Sequence, residues 1–207
     1  MDGSMHALQT AIAVVDDDAD LREWMQRALV RRGFRAQLFA GADAFLALLP
    51  RTPPACVLVD LQMPGTDGMQ LLQALVQRAD APPVIMVTAH GDVASARAAL
   101  KLGAVDFIEK PVVVEELYAA IDEALTRQDE ARQRRLAASD ARTRVAQLTE
   151  RERQVFMGVT DGLSHQEIGD TLGISPRTVE VHRGRMMDRL GVKRPADLFR
   201  LRFELGA

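Results

Sequence analysis

The adjacent pair Asp16 and Asp17, then Asp60, Thr88 and Lys110, lie far apart along the first part of the chain, yet each follows a short apolar run of β character. Carboxylates that meet in space form a set of hard oxygen ligands. Such a set suits Mg²⁺, which takes one or two protein carboxylates and keeps several waters. A carboxylate is also a nucleophile toward phosphorus and can form an aspartyl-phosphate. A lysine and a hydroxyl beside it would hold and neutralise the oxygens of a transferring phosphoryl group. Each residue alone has a plainer reading. Asp16–Asp18 could cap a helix, Asp60 could sit in a turn, and Lys110 with Pro111 could be an ordinary loop. The signal comes from all five having the required types at the same place in a repeating pattern.

That pattern is an alternation of strands and helices. Ile12–Val15, Arg35–Phe39, Cys56–Val59, Val84–Val87 and Val105–Ile108 read as strands, mostly continuous apolar runs that suit a parallel sheet buried on both faces. Between them, apolar residues recur at helical spacing: Leu21, Met25, Ala28 and Leu29; Phe45, Leu48 and Leu49; Leu71, Leu72, Leu75 and Val76; Val93, Ala96 and Leu100; Leu117, Ala120, Ile121 and Leu125. Gly33 and Gly103 stand where helix C-caps would fall. Five βα units with short connections predict an α/β fold over residues 11–125, a doubly wound parallel sheet. Ligands of such sheets bind beyond the C-terminal strand ends, where the five residues are expected.

From 126 to 147 the composition shifts to Arg, Ala, Gln and Asp without strand signals. This segment reads as a long, partly exposed linker helix, with Ser139–Asp140 the place for an interruption. Leu125, Leu136, Val145 and Leu148 are too sparse for a coiled-coil seam. Residues 148–207 read as a small all-α domain of four helices. Thr149 with Glu152, and Ser164 with Glu167, match capping boxes. Gly162, Gly173 and Gly191 act as stops, Ser175-Pro176 starts a helix, and Pro195 opens the last one. Residues 164–190 have the form of a helix-turn-helix. Val179, Met186 and Leu190 would face inward on its second helix. Arg177, Glu180, Val181, Gly184, Arg185 and Asp188 would lie on or beside the outer face. Arg177, Arg183, Arg185 and Lys193 are placed to meet nucleic-acid phosphates. The bland alternative is the solvated face of a small bundle.

The whole chain has 207 residues and a formal charge of −3, which on its face says nothing for nucleic acid. The charge is divided, however. Residues 1–125 hold 10 Lys/Arg against 17 Asp/Glu, and residues 126–207 hold 16 against 12. Between Pro176 and Arg194 there are six basic residues and two acids. One cysteine, Cys56, excludes an internal disulfide framework and a Cys-rich zinc site. His6, His90, His165 and His182 show no metal-ligand spacing. No apolar run approaches the roughly 20 residues of a membrane span, and Met1–Thr10 lacks the features of a secretory signal. The expectation is a cytoplasmic protein with no membrane partner.

The motifs Val-Val-Asp-Asp (14–17), Val-Asp-Leu-Gln-Met-Pro-Gly (59–65), Val-Thr-Ala (87–89) and Lys-Pro (110–111) resemble those of receiver domains in two-component response regulators. The resemblance implies that Asp60 is the phosphoacceptor. It implies Mg²⁺ bound by the carboxylates of Asp17 and Asp60 and the backbone carbonyl of Gln62, with Asp16 acting through water. Thr88 and Lys110 would contact the phosphoryl oxygens. Phe107 matches the family's switch aromatic, coupled to Thr88; an aromatic at a strand end can also be plain core. Residues 148–207 resemble the LuxR-type DNA-binding domain through Leu-Thr-Glu-Arg-Glu (148–152), Glu-Ile-Gly (167–169) and Ile-Ser-Pro-Arg-Thr-Val-Glu-Val-His-Arg (174–183).

Together the two resemblances imply a response regulator of the NarL/FixJ type. It would take phosphate from a cognate sensor histidine kinase, bind promoter DNA and pair as a homodimer on phosphorylation or on DNA. They imply a signalling protein whose only chemistry is its own phosphorylation and dephosphorylation. By position, Glu180, Val181 and Gly184 would face base edges, and Arg177, Thr178, Arg183 and Arg185 the backbone. Many relatives carry lysine at the position of Glu180; an acid there repels phosphate but can accept from cytosine N4. Gly184 has no side chain to read a base. Leu198, Leu201 and Leu205 lie on a helix similar to one that pairs monomers, and equally suit ordinary packing. A haloacid-dehalogenase-like phosphatase is the enzymatic alternative; its second Asp would stand where this chain has Gln62. A protein-docking role for the C-terminal helices is another, and a LuxR regulator answering a small molecule would need a different N-terminal domain.

Overall fold

β1 (Ala11–Val15), β2 (Arg35–Phe39), β3 (Cys56–Asp60), β4 (Val84–Thr88) and β5 (Asp106–Glu109) form one parallel sheet in the order β2-β1-β3-β4-β5. The structure, a computed structural model, describes residues 10–47, 53–78, 81–89 and 93–206; His6, Leu48, Leu49 and His90 lie outside the described residues. The strand order reverses between β1 and β3, so their C-terminal ends flank the switch point where doubly wound sheets bind ligands.

Continuous apolar strands are explained by cover on both faces. Successive strand residues point to opposite faces. Ile12, Val14, Leu58 and Ile85 pack with Met25 and Leu29 of α1 (Ala19–Arg31) and with Leu117 and Ile121 of α5 (Val114–Ala146). Ala13, Val15, Val57, Val59 and Met86 pack on the other face. There they meet Phe45 of α2 (Ala42–Ala47), Leu71, Leu72 and Leu75 of α3 (Gly68–Val76), and Ala99 of α4 (Val93–Leu102). Tyr118 fastens α5 to α1 by donating its hydroxyl to the Ala28 carbonyl at 2.8 Å, with Arg32 over its ring and paired to Asp122.

Two local expectations are corrected. Asp60 and Thr88 are the last residues of β3 and β4 rather than the first beyond them, and Asp60 is in register with Val87. On α4 the expected stripe Val93, Ala96, Leu100 is not the buried one: Val93 and Leu100 are 75% and 47% exposed, and Ala99 is buried. The small residue permits close approach of α4, and Leu102 packs beside it. Helical spacing gave the period but not the rotation.

The long helix α5 runs unbroken through Ser139–Asp140. The Thr143 hydroxyl donates to the Ser139 carbonyl at 2.9 Å, and Arg144 pairs with Asp140 one turn away, so local contacts continue across the expected interruption. The division into compact units falls between Glu130 and Ala131, inside this helix and not at its end. The part of α5 in the second unit is more than a tether. Ala141 is fully buried, Val145 packs beside it, and Arg144 Nε donates to the Leu190 carbonyl at 3.2 Å.

That second unit continues with α6 (Glu150–Thr160), α7 (His165–Leu172), α8 (Pro176–Leu190) and α9 (Pro195–Glu204). Both expected capping boxes form, at Thr149/Glu152 and Ser164/Glu167. Gly173 and Gly191 cap α7 and α8 in the left-handed conformation, which costs glycine little. Val155, Phe156, Ile168, Val179, Met186, Leu190, Leu198 and Leu201 form the core. Among the described residues no helix is long and apolar enough to cross a membrane.

Candidate functional sites

The three consecutive aspartates after β1 have three different environments. Asp18 is the N-cap of α1, accepting from the backbone N–H groups of Asp20 and Leu21. Asp16 is buried and accepts from the Asp18 N–H at 2.8 Å. Asp17 is exposed at the pocket rim. The plain capping role therefore belongs to Asp18, while Asp16 and Asp17 join Asp60. Carboxylate oxygens of Asp16, Asp17 and Asp60 lie within 4.8 Å of one another. Hard oxygens so gathered fit a divalent cation.

Lys110 enters the same pocket from the end of β5, just before a cis peptide bond to Pro111. Its Nζ donates to Asp60 Oδ2 at 2.7 Å and to Asp16 Oδ2 at 2.9 Å. Burial pushes the Asp16 carboxyl above the usual carboxylate range, against hydrogen bonds from Lys110 and the Asp18 N–H; the nearby charge of Asp60 adds to the rise. Burial also disfavours the Lys110 charge, but its hydrogen bonds to Asp60 and Asp16 prevail and hold the ammonium above its ordinary value. The cation thus stays charged beside Asp60.

Thr88 is buried at the end of β4, and its carbonyl accepts from the Lys110 N–H at 2.7 Å. Gln62 is exposed, and its N–H donates to Asp60 Oδ1 at 3.3 Å. Phe107 is partly buried, in register with Met86, and packs with the cluster that contains Met86. Period-2 alternation places Met86 and Thr88 on one face of β4.

Sequence reasoning passed over two residues that shape this pocket. Arg22 donates to the Asp16 carbonyl at 2.6 Å. Gly68 starts α3 so close to β3 that a Cβ there would collide with the Asp60 carbonyl oxygen and lie 2.9 Å from Leu61 Cα. The Asp67/Gln70 capping box fixes that start. Nothing in the local sequence marks Gly68 as more than a turn residue, because the contact lies across the fold.

On α8 the expected inward residues Val179, Met186 and Leu190 are buried. Arg177, Glu180, Val181, Gly184, Arg185 and Asp188 are exposed; Thr178 and Arg183 are half-buried, and Lys193 beyond the helix is exposed. The six basic residues separate by partner. Arg189 pairs with buried Glu152 at 3.1 Å, and Arg194 pairs with Asp197 at 2.9 Å. The side chains of Arg177, Arg183, Arg185 and Lys193 form no ion pair or hydrogen bond with any described residue. The hydrogen bond from the Thr149 N–H, opposed by burial and aided by the Thr149 hydroxyl and Arg189, holds the Glu152 carboxyl below its usual range. Arg189 is thus structural, and the four unpaired cations are those the sequence assigned to phosphates. Thr178 Oγ1 is 2.8 Å from Ser175 Oγ, at the helix start.

Comparison with known proteins covers both units. Residues 12–122 match the response regulator receiver domain family, and residues 146–201 match the luxR family of bacterial regulatory proteins. The transcriptional regulatory protein FixJ of Bradyrhizobium diazoefficiens is 41% identical over 94% of this chain and 95% of its own length. The tetrathionate response regulatory protein TtrR of Salmonella typhimurium is 36% identical over 93% of this chain and 91% of its own. Among solved structures, the response regulator StyR aligns with a TM-score of 0.76 at 34% identity, covering 94% of this chain and 98% of StyR. Full-length FixJ from B. japonicum aligns with a TM-score of 0.59 at 41% identity, covering 96% and 98%.

Proposed function

Since the chain belongs to the FixJ-like response regulators, transcriptional regulators of two-component systems that join a receiver to a LuxR-type DNA-binding domain, we propose that Asp60 is its phosphoacceptor and the outer face of α8 its DNA-reading surface. Residues 11–125 form the phosphoacceptor part; the DNA-binding part is 148–207, supported by the end of α5. The observation that carries the first half is Lys110 Nζ held at 2.7 Å from Asp60, beside two further carboxylates.

A partner histidine kinase presents a phosphohistidine, and the Asp60 carboxylate displaces the imidazole at phosphorus. Asp17 and Asp60 would hold Mg²⁺ through carboxylates, Gln62 through its backbone carbonyl and Asp16 through water. When bound, Mg²⁺ neutralises charge on the phosphoryl oxygens. Lys110 turns from its ion pairs with Asp16 and Asp60 to the phosphoryl oxygens, and Thr88 donates its hydroxyl to them. Met86, Thr88 and Phe107 share one side of the sheet, which supports Phe107 as the residue that follows a shift of Thr88. Phosphate incorporated from acetyl phosphate is expected on the peptide containing Asp60 alone. Label on another aspartate would overturn the assignment.

The enzymatic alternative requires a second acid two residues after the nucleophile, and Gln62 occupies that place. In the second unit, Arg177, Arg183, Arg185 and Lys193 meet phosphates, Glu180, Val181 and Gly184 approach base edges, and Thr178 lies near the backbone. Leu198 and Leu201 are core, so they are not the pairing surface; Phe199 and Phe203, one turn apart on α9 and exposed, are the residues left to pair two copies on DNA. Arg183→Ala should weaken binding and lower the salt slope, log K against log salt, by about 0.9 for each bound copy. Arg189→Ala should instead lower thermal stability by leaving buried Glu152 unpaired, with the salt slope kept. Equal slopes for wild type and Arg183→Ala would remove Arg183 from the phosphate contacts.

A further inference from the structure

We propose that Glu180 makes this protein select a cytosine in its operator, by accepting a hydrogen bond from the N4 amino group in the major groove. The inference rests on the placement of α8 on DNA argued above and adds the chemistry that it reads.

Glu180 is exposed, and its carboxylate has no hydrogen bond or ion pair with any described residue. It has unpaired arginines three positions away on either side, Arg177 and Arg183, and neither closes on it. It lines a concavity of about 560 Å³ with His165, Pro176, Arg177 and Val181, between the starts of α7 and α8. Among the described residues, no hydrogen bond or ion pair engages this carboxylate. Against a DNA backbone it is repulsive, so it weakens binding to every sequence that offers no compensating donor.

An ionised carboxylate only accepts hydrogen bonds. Guanine shows two acceptors in the major groove, and thymine shows an acceptor and a methyl group. Adenine shows its N6 donor next to the N7 acceptor, which opposes a carboxylate. Cytosine alone shows a donor with no acceptor beside it on its own edge. Recognition by Glu180 is therefore a choice for cytosine through attraction there and repulsion elsewhere.

The neighbouring positions concentrate the reading on this residue. Thr178 is engaged with Ser175 at the helix start. Gly184, one turn beyond Glu180, has nothing within 4 Å of where a Cβ would stand, so no packing within the protein requires glycine, and it offers DNA no side chain. Val181, exposed, adds an apolar contact suited to a thymine methyl.

The test is selection from a randomised duplex library with the full chain, with and without acetyl phosphate, for wild type, Glu180→Ala and Glu180→Gln. Circular dichroism of all three confirms folding. Wild type should yield a motif in which each half-site has one position where cytosine is favoured over each other base by about 10-fold or more. Glu180→Ala should flatten that position alone in each half-site and bind random duplex more tightly than wild type. Glu180→Gln should move the preference to adenine, because a carboxamide matches the N6 donor and N7 acceptor together. A recovered motif unchanged at every position in Glu180→Ala would overturn the proposal, as would loss of preference for a base other than cytosine. Failure of wild type to bind any duplex would instead overturn the placement of α8 on DNA, and the proposal with it.

Discussion

Phosphate transfer from acetyl phosphate will be lost when Asp60 is replaced by asparagine, with a fall in labelling rate of at least about a hundredfold. The carboxamide has nearly the shape of the carboxylate but lacks the anionic oxygen that attacks phosphorus. The surroundings change little. Lys110 retains Asp16 at 2.9 Å, and the repulsion between Asp16 and Asp60 is removed. Thermal stability should therefore stay within about 1 kcal/mol of wild type. Unchanged stability with lost labelling identifies a chemical role. Labelling of Asp60→Asn at the wild-type rate would show that the nucleophile is elsewhere.

Gly68→Ala will damage the same pocket without touching any reacting group. The added methyl would overlap the Asp60 carbonyl oxygen, approach Leu61 Cα at 2.9 Å and meet Met86 Cε at 2.9 Å. Two of these three neighbours are backbone and cannot turn aside. Either α3 moves off the sheet, losing packing of Leu71, Leu72 and Leu75, or the end of β3 shifts and carries Asp60 away from Lys110. Overpacking of this kind costs about 3 kcal/mol, and the melting temperature and labelling rate should fall together. Gly184→Ala is the control. Its space is open, and alanine in a helix interior should stabilise by up to about 1 kcal/mol. Equal melting temperatures for Gly68→Ala and wild type would show that the backbone relaxes freely there.

These two residues mark how far the sequence could be read. Asp60 was visible because its meaning is periodic: an apolar run ends, and a parallel sheet places strand ends together. Gly68 was not, because its constraint is a close approach to a residue on another element, and glycine occurs at many turns without one. The same limit applied to α4. Its apolar spacing is real, but the choice of buried stripe depends on how near the sheet the helix can come, and Ala99 allows what Val93 or Leu100 would not.

What the sequence determined by itself was the part encoded in short-range pattern: five parallel strands and their intervening helices, the caps at Thr149, Ser164 and Ser175, the inward face of α8, and the set of acids and lysine at the sheet edge. Backbone hydrogen bonding and hydrophobic alternation act between neighbours, so neighbours suffice to show them. The tertiary structure decided the division of labour among identical residues. Asp16, Asp17 and Asp18 are one triplet in sequence, but burial and partners make a pocket anchor, an exposed rim carboxylate and a helix cap of them. The arginines near α8 divide likewise, since Arg189 pairs with Glu152 from another helix and the Arg183 side chain forms no ion pair or hydrogen bond with a described residue. Desolvation and pairing depend on which elements come together in space, and that distance is absent from any local stretch of chain.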